Sequence, residues 1–145
     1  MIRKHKSFLI GLFVSLLVIL PVLFSFRSPV ISINGTKVSI TRAITEHDRR
    51  LGLGDYEKLE ENHGMLFEFE KTDYYGIWMK DVEFPIDVIW LDENRIVIDI
   101  EENMKPKSYP TVFKPEKPAL YVLEVPAGFA ADNEIERGQS AKFSF

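Results

Sequence analysis

The sequence predicts a mainly β (α+β) chain: one compact barrel- or sandwich-like domain with one or two short helices, preceded by a single transmembrane helix. Three observations lead there. An uncharged apolar run occupies residues 8–26. After it, short segments of alternating polarity recur between clusters of Gly, Pro, Asn and Asp. Helix signals in that part are few and brief, which favours a β architecture over a helical or α/β one.

The apolar run comes first. Residues 1–7 carry Arg3, Lys4 and Lys6 and no acid. The following 19 residues, FLIGLFVSLLVILPVLFSF, hold no charge. As a helix they would span roughly 28 Å, the thickness of a bilayer's hydrocarbon core. Only Arg27 follows immediately. The positive-inside rule therefore puts residues 1–7 in the cytoplasm and residues 27–145 outside, as an extracytoplasmic domain on the cell membrane. The alternative is a cleaved signal peptide, with the domain secreted. Cleavage after Ser25 or Ser28 would place Leu23 or Phe26 where a small residue belongs, and only Pro21 suits that reading.

Beyond the run, 119 residues remain, enough for one domain with a real core. There is no cysteine, which removes disulfides, thiol nucleophiles and zinc–thiolate sites. With the first 26 residues set aside, 15 basic residues face 22 acidic ones, a net charge of −7. That balance argues against nucleic acid as a partner and against docking of the domain on anionic lipid.

The elements follow in order. Asn34-Gly35 between alternating flanks, residues 30–40, reads as a type I′ hairpin. Thr45-Glu46-His47-Asp48 reads as a capping box opening a short helix that Gly52 or Gly54 ends. A polar turn or second helix is expected over residues 55–62, stopped by Gly64. Strands are expected at 65–69, 75–79, 86–91, 95–101, 120–125 and 139–145. Asp92-Glu93-Asn94 serves as a hairpin loop. Residues 103–118 fit no strand. They hold four prolines and four lysines and read as a long loop, either a functional lid or a solvated excursion.

Two carboxylates stand in apolar company. Asp87 alternates with Ile89 and Leu91 while Ile86, Val88 and Trp90 take the other face, so this strand is buried on both sides. Glu124 sits similarly among Leu120, Val122 and Val125. Buried carboxylates must be paired or protonated, with Arg49, Arg50 and Lys80 as candidate partners. Two roles stay open: an acid–base or ligand cleft, or loop anchors that bond backbone N–H groups. Trp78, Trp90, Phe67 and Phe69 read as core, and Met65 and Met79 as packing. His47 and His63 lack a second ligand at metal spacing, so no metal or cofactor is expected. No nucleophile elbow or phosphate loop is present.

Four segments resemble one known family. They are Arg49-Arg50-Leu51-Gly52-Leu53, Gly64-Met65-Leu66-Phe67, Trp78-Met79-Lys80 with Pro85-Ile86-Asp87, and Tyr121-Val122-Leu123-Glu124 with Ala127-Gly128. In order and spacing they resemble domain-of-unknown-function family 192, uncharacterised bacterial and archaeal proteins that are often membrane-anchored. Two departures stand out. Asp81-Val82 follow Lys80 where the family has asparagine and threonine. Ser108-Tyr109 precede Pro110 where the family often has a cysteine. The resemblance implies one β-rich domain and no particular reaction. It draws attention to Arg49, Lys80, Asp87 and Glu124 as ligand-binding residues, and makes Gly64 and Gly128 backbone-geometry positions.

The biochemical activity is unknown from these residues. The favoured expectation is a membrane-tethered extracytoplasmic binding module for a small polar ligand, glycan or peptide. The alternatives are an assembly partner of another envelope protein, and a hydrolase or lyase using Asp87 and Glu124 as acid and base.

Overall fold

In the computed structural model, which describes residues 28–145, the chain begins with the expected hairpin. Asn34 and Gly35 take φ of 48° and 81°, the left-handed pair that a type I′ turn requires. They join β1 (Val30–Ile33) to β2 (Thr36–Ala43), with Ile33 opposite Thr36. Thr45 then caps α1 (Glu46–Leu51). Its hydroxyl accepts from the Asp48 N–H, and the Asp48 carboxylate accepts from the Thr45 N–H. Gly52 ends the helix at φ 53°.

The remaining elements are β3 (His63–Asp73), β4 (Ile86–Leu91), β5 (Val97–Met104), β6 (Ala119–Pro126), α2 (Phe129–Asp132) and β7 (Ala141–Ser144). All seven strands form one sheet, ordered β5-β4-β6-β3-β2-β1-β7. Only β2 and β3 run parallel. A parallel pair needs a crossover, and α1 with the turns after it supplies one. The sheet curls into a half-barrel. Its outer strands approach at one corner, where Ile96 bridges Ser140 and the Ala141 N–H donates to Arg95 O at 2.8 Å.

The curl makes two cores. The inner one draws on every strand, with Ile31, Val38, Leu66, Ile89, Val97, Leu123 and Ala141, and α2 adds Phe129 and Ala130. The outer core sits on the other face, where Met65, Phe67, Val88, Trp90 and Val122 are roofed by Leu53, Ile77, Met79 and Val82. All six residues of β4 are consequently buried, Asp87 included, as the apolar residues on both its faces predict.

Several expectations are corrected. Residues 75–79 form no strand. Ile77 pairs only with Phe113, and the Tyr75 carbonyl accepts from the Trp90 indole at 2.9 Å, so this segment roofs the outer core. Residues 55–62 make turns and no helix, with Tyr56 N–H donating to Leu53 O and His63 N–H to Glu60 O. Gly64 stops no helix but lies within β3. The short α2 was not foreseen. The transmembrane helix expected at 8–26 lies outside the described residues. Among those described, no helix is long and apolar enough to cross a membrane.

Gly64 carries a different constraint from the one expected. A Cβ there would meet Glu124 O at 2.6 Å and Val125 Cγ1 at 3.1 Å, so β3 and β6 approach closely only because the side chain is absent. Replacing Gly64 with Ala is expected to destabilise the chain by about 1–3 kcal/mol, read as a lower urea midpoint. An unchanged midpoint would contradict the close approach.

Candidate functional site

A pocket opens on the outer face between α1, β3 and the segment leading to β4. Arg49 and Leu51 form one wall and Phe69 and Tyr75 another, with Trp78 and Lys80 at the rim and Glu124 among the lining residues. Its volume is about 170 Å³. Three of the four residues singled out from the sequence, Arg49, Lys80 and Glu124, therefore converge.

Glu124 lies on β6 opposite Met65 of β3 and Val88 of β4, which directs its side chain to the outer core. The residue is 5% exposed. Among the described residues nothing hydrogen-bonds or ion-pairs with its carboxyl. Burial without a compensating partner pushes its pKa up to about 8. At neutral pH the group is therefore a carboxylic acid able to donate one hydrogen bond and accept others.

The pocket walls have local causes. The Arg49 guanidinium donates through Nη1 to Ile44 O and to Glu68 O, the latter at 2.8 Å, tying α1 to β3. It also lies over the Phe69 ring at 5.1 Å. Phe69 in turn stacks on Tyr75 with centroids 3.4 Å apart. The Tyr75 hydroxyl donates to Lys71 O at 2.7 Å, and burial raises its pKa above the ordinary value. Arg50 is turned outward and pairs with Glu46 at 2.5 Å. Lys80 is exposed and makes no ion pair among the described residues.

Trp78, expected in the core, is half exposed. Its neighbour is Tyr109, edge to face with centroids 6.0 Å apart. Tyr109 belongs to the Lys-Pro loop, which is pinned beside the pocket. Ile77 and Phe113 exchange two backbone hydrogen bonds of 2.9 Å, and Val112 packs against Gly76. The loop is thus fastened beside the pocket, whose lining is drawn from residues 49–82 and Glu124.

Asp87 lies elsewhere. It is one residue from Val88 in β4 and so faces the inner core. Its Oδ1 accepts from the Asn103 N–H at 2.8 Å and its Oδ2 from the Ala130 N–H at 2.9 Å. These bonds hold the start of the Lys-Pro loop and the start of α2. The alternative in which Asp87 and Glu124 meet as an acid–base pair is not the arrangement seen, because the two carboxyls occupy opposite faces of the sheet, and Asp87 takes the loop-anchoring role instead. Asp99, on β5, is a further buried carboxylate, 7% exposed. It accepts from the Ile100 and Glu116 N–H groups, each at 2.9 Å, and from Arg137. That partner is 38 residues away, and no local pattern announces it.

Asp87 and Glu124 predict different responses. Asp87→Asn is expected to cost about 1–3 kcal/mol, since one of its two N–H groups loses an acceptor. For Glu124, the native state keeps a proton that the unfolded chain releases above about 4.5, so stability present below that pH is lost as pH rises toward about 8. Between those limits wild type should lose roughly 1.4 kcal/mol per pH unit more than Glu124→Gln. Denaturant midpoints across pH measure both. Parallel pH profiles for wild type and Glu124→Gln would contradict the protonated carboxyl.

Residues 29–143 match the model of the family DUF192, described as Uncharacterized ACR, COG1430. UPF0127 protein TK1120 of Thermococcus kodakarensis is 35% identical over 79 residues, 53% of this chain and 48% of that protein, so the chain spans about half the length of the curated relative it matches. A proposed transcription regulator from Sinorhizobium meliloti 1021 is similar in fold, with a TM-score of 0.75 at 24% identity over 80% of this chain and 94% of that one. A protein of unknown function from Novosphingobium aromaticivorans DSM 12444 gives a TM-score of 0.73 at 27% identity over 78% and 83% of the two chains. The family match takes in all seven strands but the final residue of β7, and the chain belongs to domain-of-unknown-function family 192.

Proposed function

We propose that this chain is a binding module that takes a small polar ligand, a glycan or peptide fragment, into the pocket over Glu124. One observation carries the reading: a buried carboxyl with no partner among the described residues opens onto a cavity lined also by a cation without an ion pair among them and by a half-exposed indole. A polar group without a partner costs stability, and a ligand that supplies the partner recovers it. Convergent polar groups in a concave, mostly apolar setting are the usual mark of a ligand site. The volume of about 170 Å³ falls below the roughly 300–1,000 Å³ of pockets that enclose drug-sized molecules. It suits one small ring or one end group. In this reading the apolar segment at residues 8–26 tethers the module outside the membrane.

A second reading, an assembly partner of another envelope protein, draws on one further observation. Ile44, Leu51, Tyr74, Tyr109 and Val112 are exposed around the same pocket, and exposed apolar groups gathered on one face mark protein contacts.

Thermal unfolding of the full-length chain, in a detergent without a sugar headgroup, tests the proposal against panels of saccharides, short peptides and metal ions. At least one saccharide or peptide should raise the wild-type midpoint; saturation at about 100 Kd gives about 2.7 kcal/mol. The same compound should not raise it in Trp78→Ala or Lys80→Met, and the unliganded stability of Lys80→Met, an exposed site, should stay within about 0.5 kcal/mol of wild type. Equal stabilisation of these variants would place binding elsewhere. No stabilisation by any compound would favour the assembly reading.

A further inference from the structure

Resting on the binding reading above, we infer that the pocket receives the end residue of an acidic saccharide, a pyranose ring bearing a carboxylate.

Charge comes first. The domain is acidic, yet the charged groups lining the pocket are Arg49, Arg50 and Lys80. Arg50 is offset by Glu46, while Lys80 has no ion pair among the described residues. The one acid in the lining is Glu124, which burial holds uncharged at neutral pH. Asp81 follows Lys80 but lies against Gly54, outside that lining. A net-positive concavity in a net-negative domain selects an anion.

Hydrogen-bonding capacity narrows the anion. A protonated carboxyl donates to a carboxylate and also exchanges bonds with hydroxyls. Lys80 offers three donors as a compact charge. Arg49 has committed Nη1 to two backbone carbonyls, which leaves its Nη2 and Nε donors to supplement Lys80.

Shape narrows it further. Trp78 presents an amphipathic face beside these groups, held edge-on by Tyr109, and the apolar C–H face of a sugar ring would cover it. A simple inorganic anion would leave that indole bare. A neutral hexose would leave Lys80 unpaired. An extended peptide would seek a free strand edge, but β3 and β6 beneath the pocket are each paired on both sides.

The chain has only two tryptophans, so its two indole N–H resonances give a local readout. Trp78 is at the pocket rim, while the Trp90 N–H is bonded to Tyr75 O. The experiment is an NMR titration of the full-length chain, in a detergent without a sugar headgroup, with methyl glucuronide, methyl glucoside and propionate. Methyl glucuronide should move the Trp78 resonance, and the other two should not. Lys80→Met should weaken that binding tenfold or more, and Lys80→Arg should largely restore it. From about pH 7 to about pH 9, Glu124 ionises toward the ligand carboxylate and affinity should fall at least tenfold; Glu124→Gln should remove that loss. Equal shifts with glucoside or propionate would overturn the acidic-saccharide assignment. If glucuronide is silent while another compound moves Trp78, the assignment fails and the binding reading stands. If neither these three compounds nor any saccharide or peptide of the thermal-unfolding panel moves Trp78, both fail.

Discussion

Strands β4 and β6 run through the middle of the sheet with protein on both faces, and every polar group placed there must be neutralised or bonded. The inner face is closed by the curl of the sheet and by α2, and the outer face by the segment from Tyr75 to Val82. Two carboxyl side chains sit on these strands, and the fold treats them differently. Asp87 receives two backbone N–H donors, one from each of the chain turns it fastens. Both of its oxygens are thereby given hydrogen-bond partners inside the half-barrel. Glu124 receives no such donor. It keeps its proton instead, and what remains is a polar group turned toward a cavity.

The cavity persists because its surroundings are fixed by contacts that do not fill it. Gly64 lets β3 lie against β6 directly behind Glu124. Arg49 fastens α1 to β3 through carbonyl oxygens, which spends Nη1 on the frame and leaves the acid alone. Phe113 fastens the Lys-Pro loop to Ile77. Trp78, large enough to occupy the space, is instead held at the rim beside Tyr109. Leaving a big indole half in water forgoes roughly 25 cal/mol for each Å² of apolar surface not buried. That exposure is the feature on which the proposed ligand site draws.

Much of this was legible in the residues, wherever the cause is local. The Asn34-Gly35 turn, the Thr45 capping box and the two-sided burial of β4 follow from neighbours within a few positions. So does the presence of a buried acid at 87 and at 124, since alternation alone sets their company. Whether a buried acid anchors a loop or floors a pocket depends on Asn103, Ala130 and the roof over the outer face, all distant in the chain. The parallel pairing of β2 with β3, the partnership of Asp99 with Arg137 and the exposure of Trp78 are likewise long-range outcomes. Residues 75–79 have strand-favouring side chains, but the neighbouring positions in the sheet are already taken by β3 and β4 with β6 between them. Tertiary context overrides propensity there.

The central claim is that Glu124 is a protonated carboxyl in the resting protein, and infrared difference spectroscopy tests it most directly. Spectra of wild type and Glu124→Gln at neutral pH would be subtracted. A carbonyl band from a protonated carboxylic acid should be present in wild type, absent in the variant, and lost from wild type as pH rises past about 8. A difference spectrum showing only ionised carboxylate at neutral pH would mean that Glu124 has found a partner, and the pocket would lose the feature on which its reading as a ligand site depends.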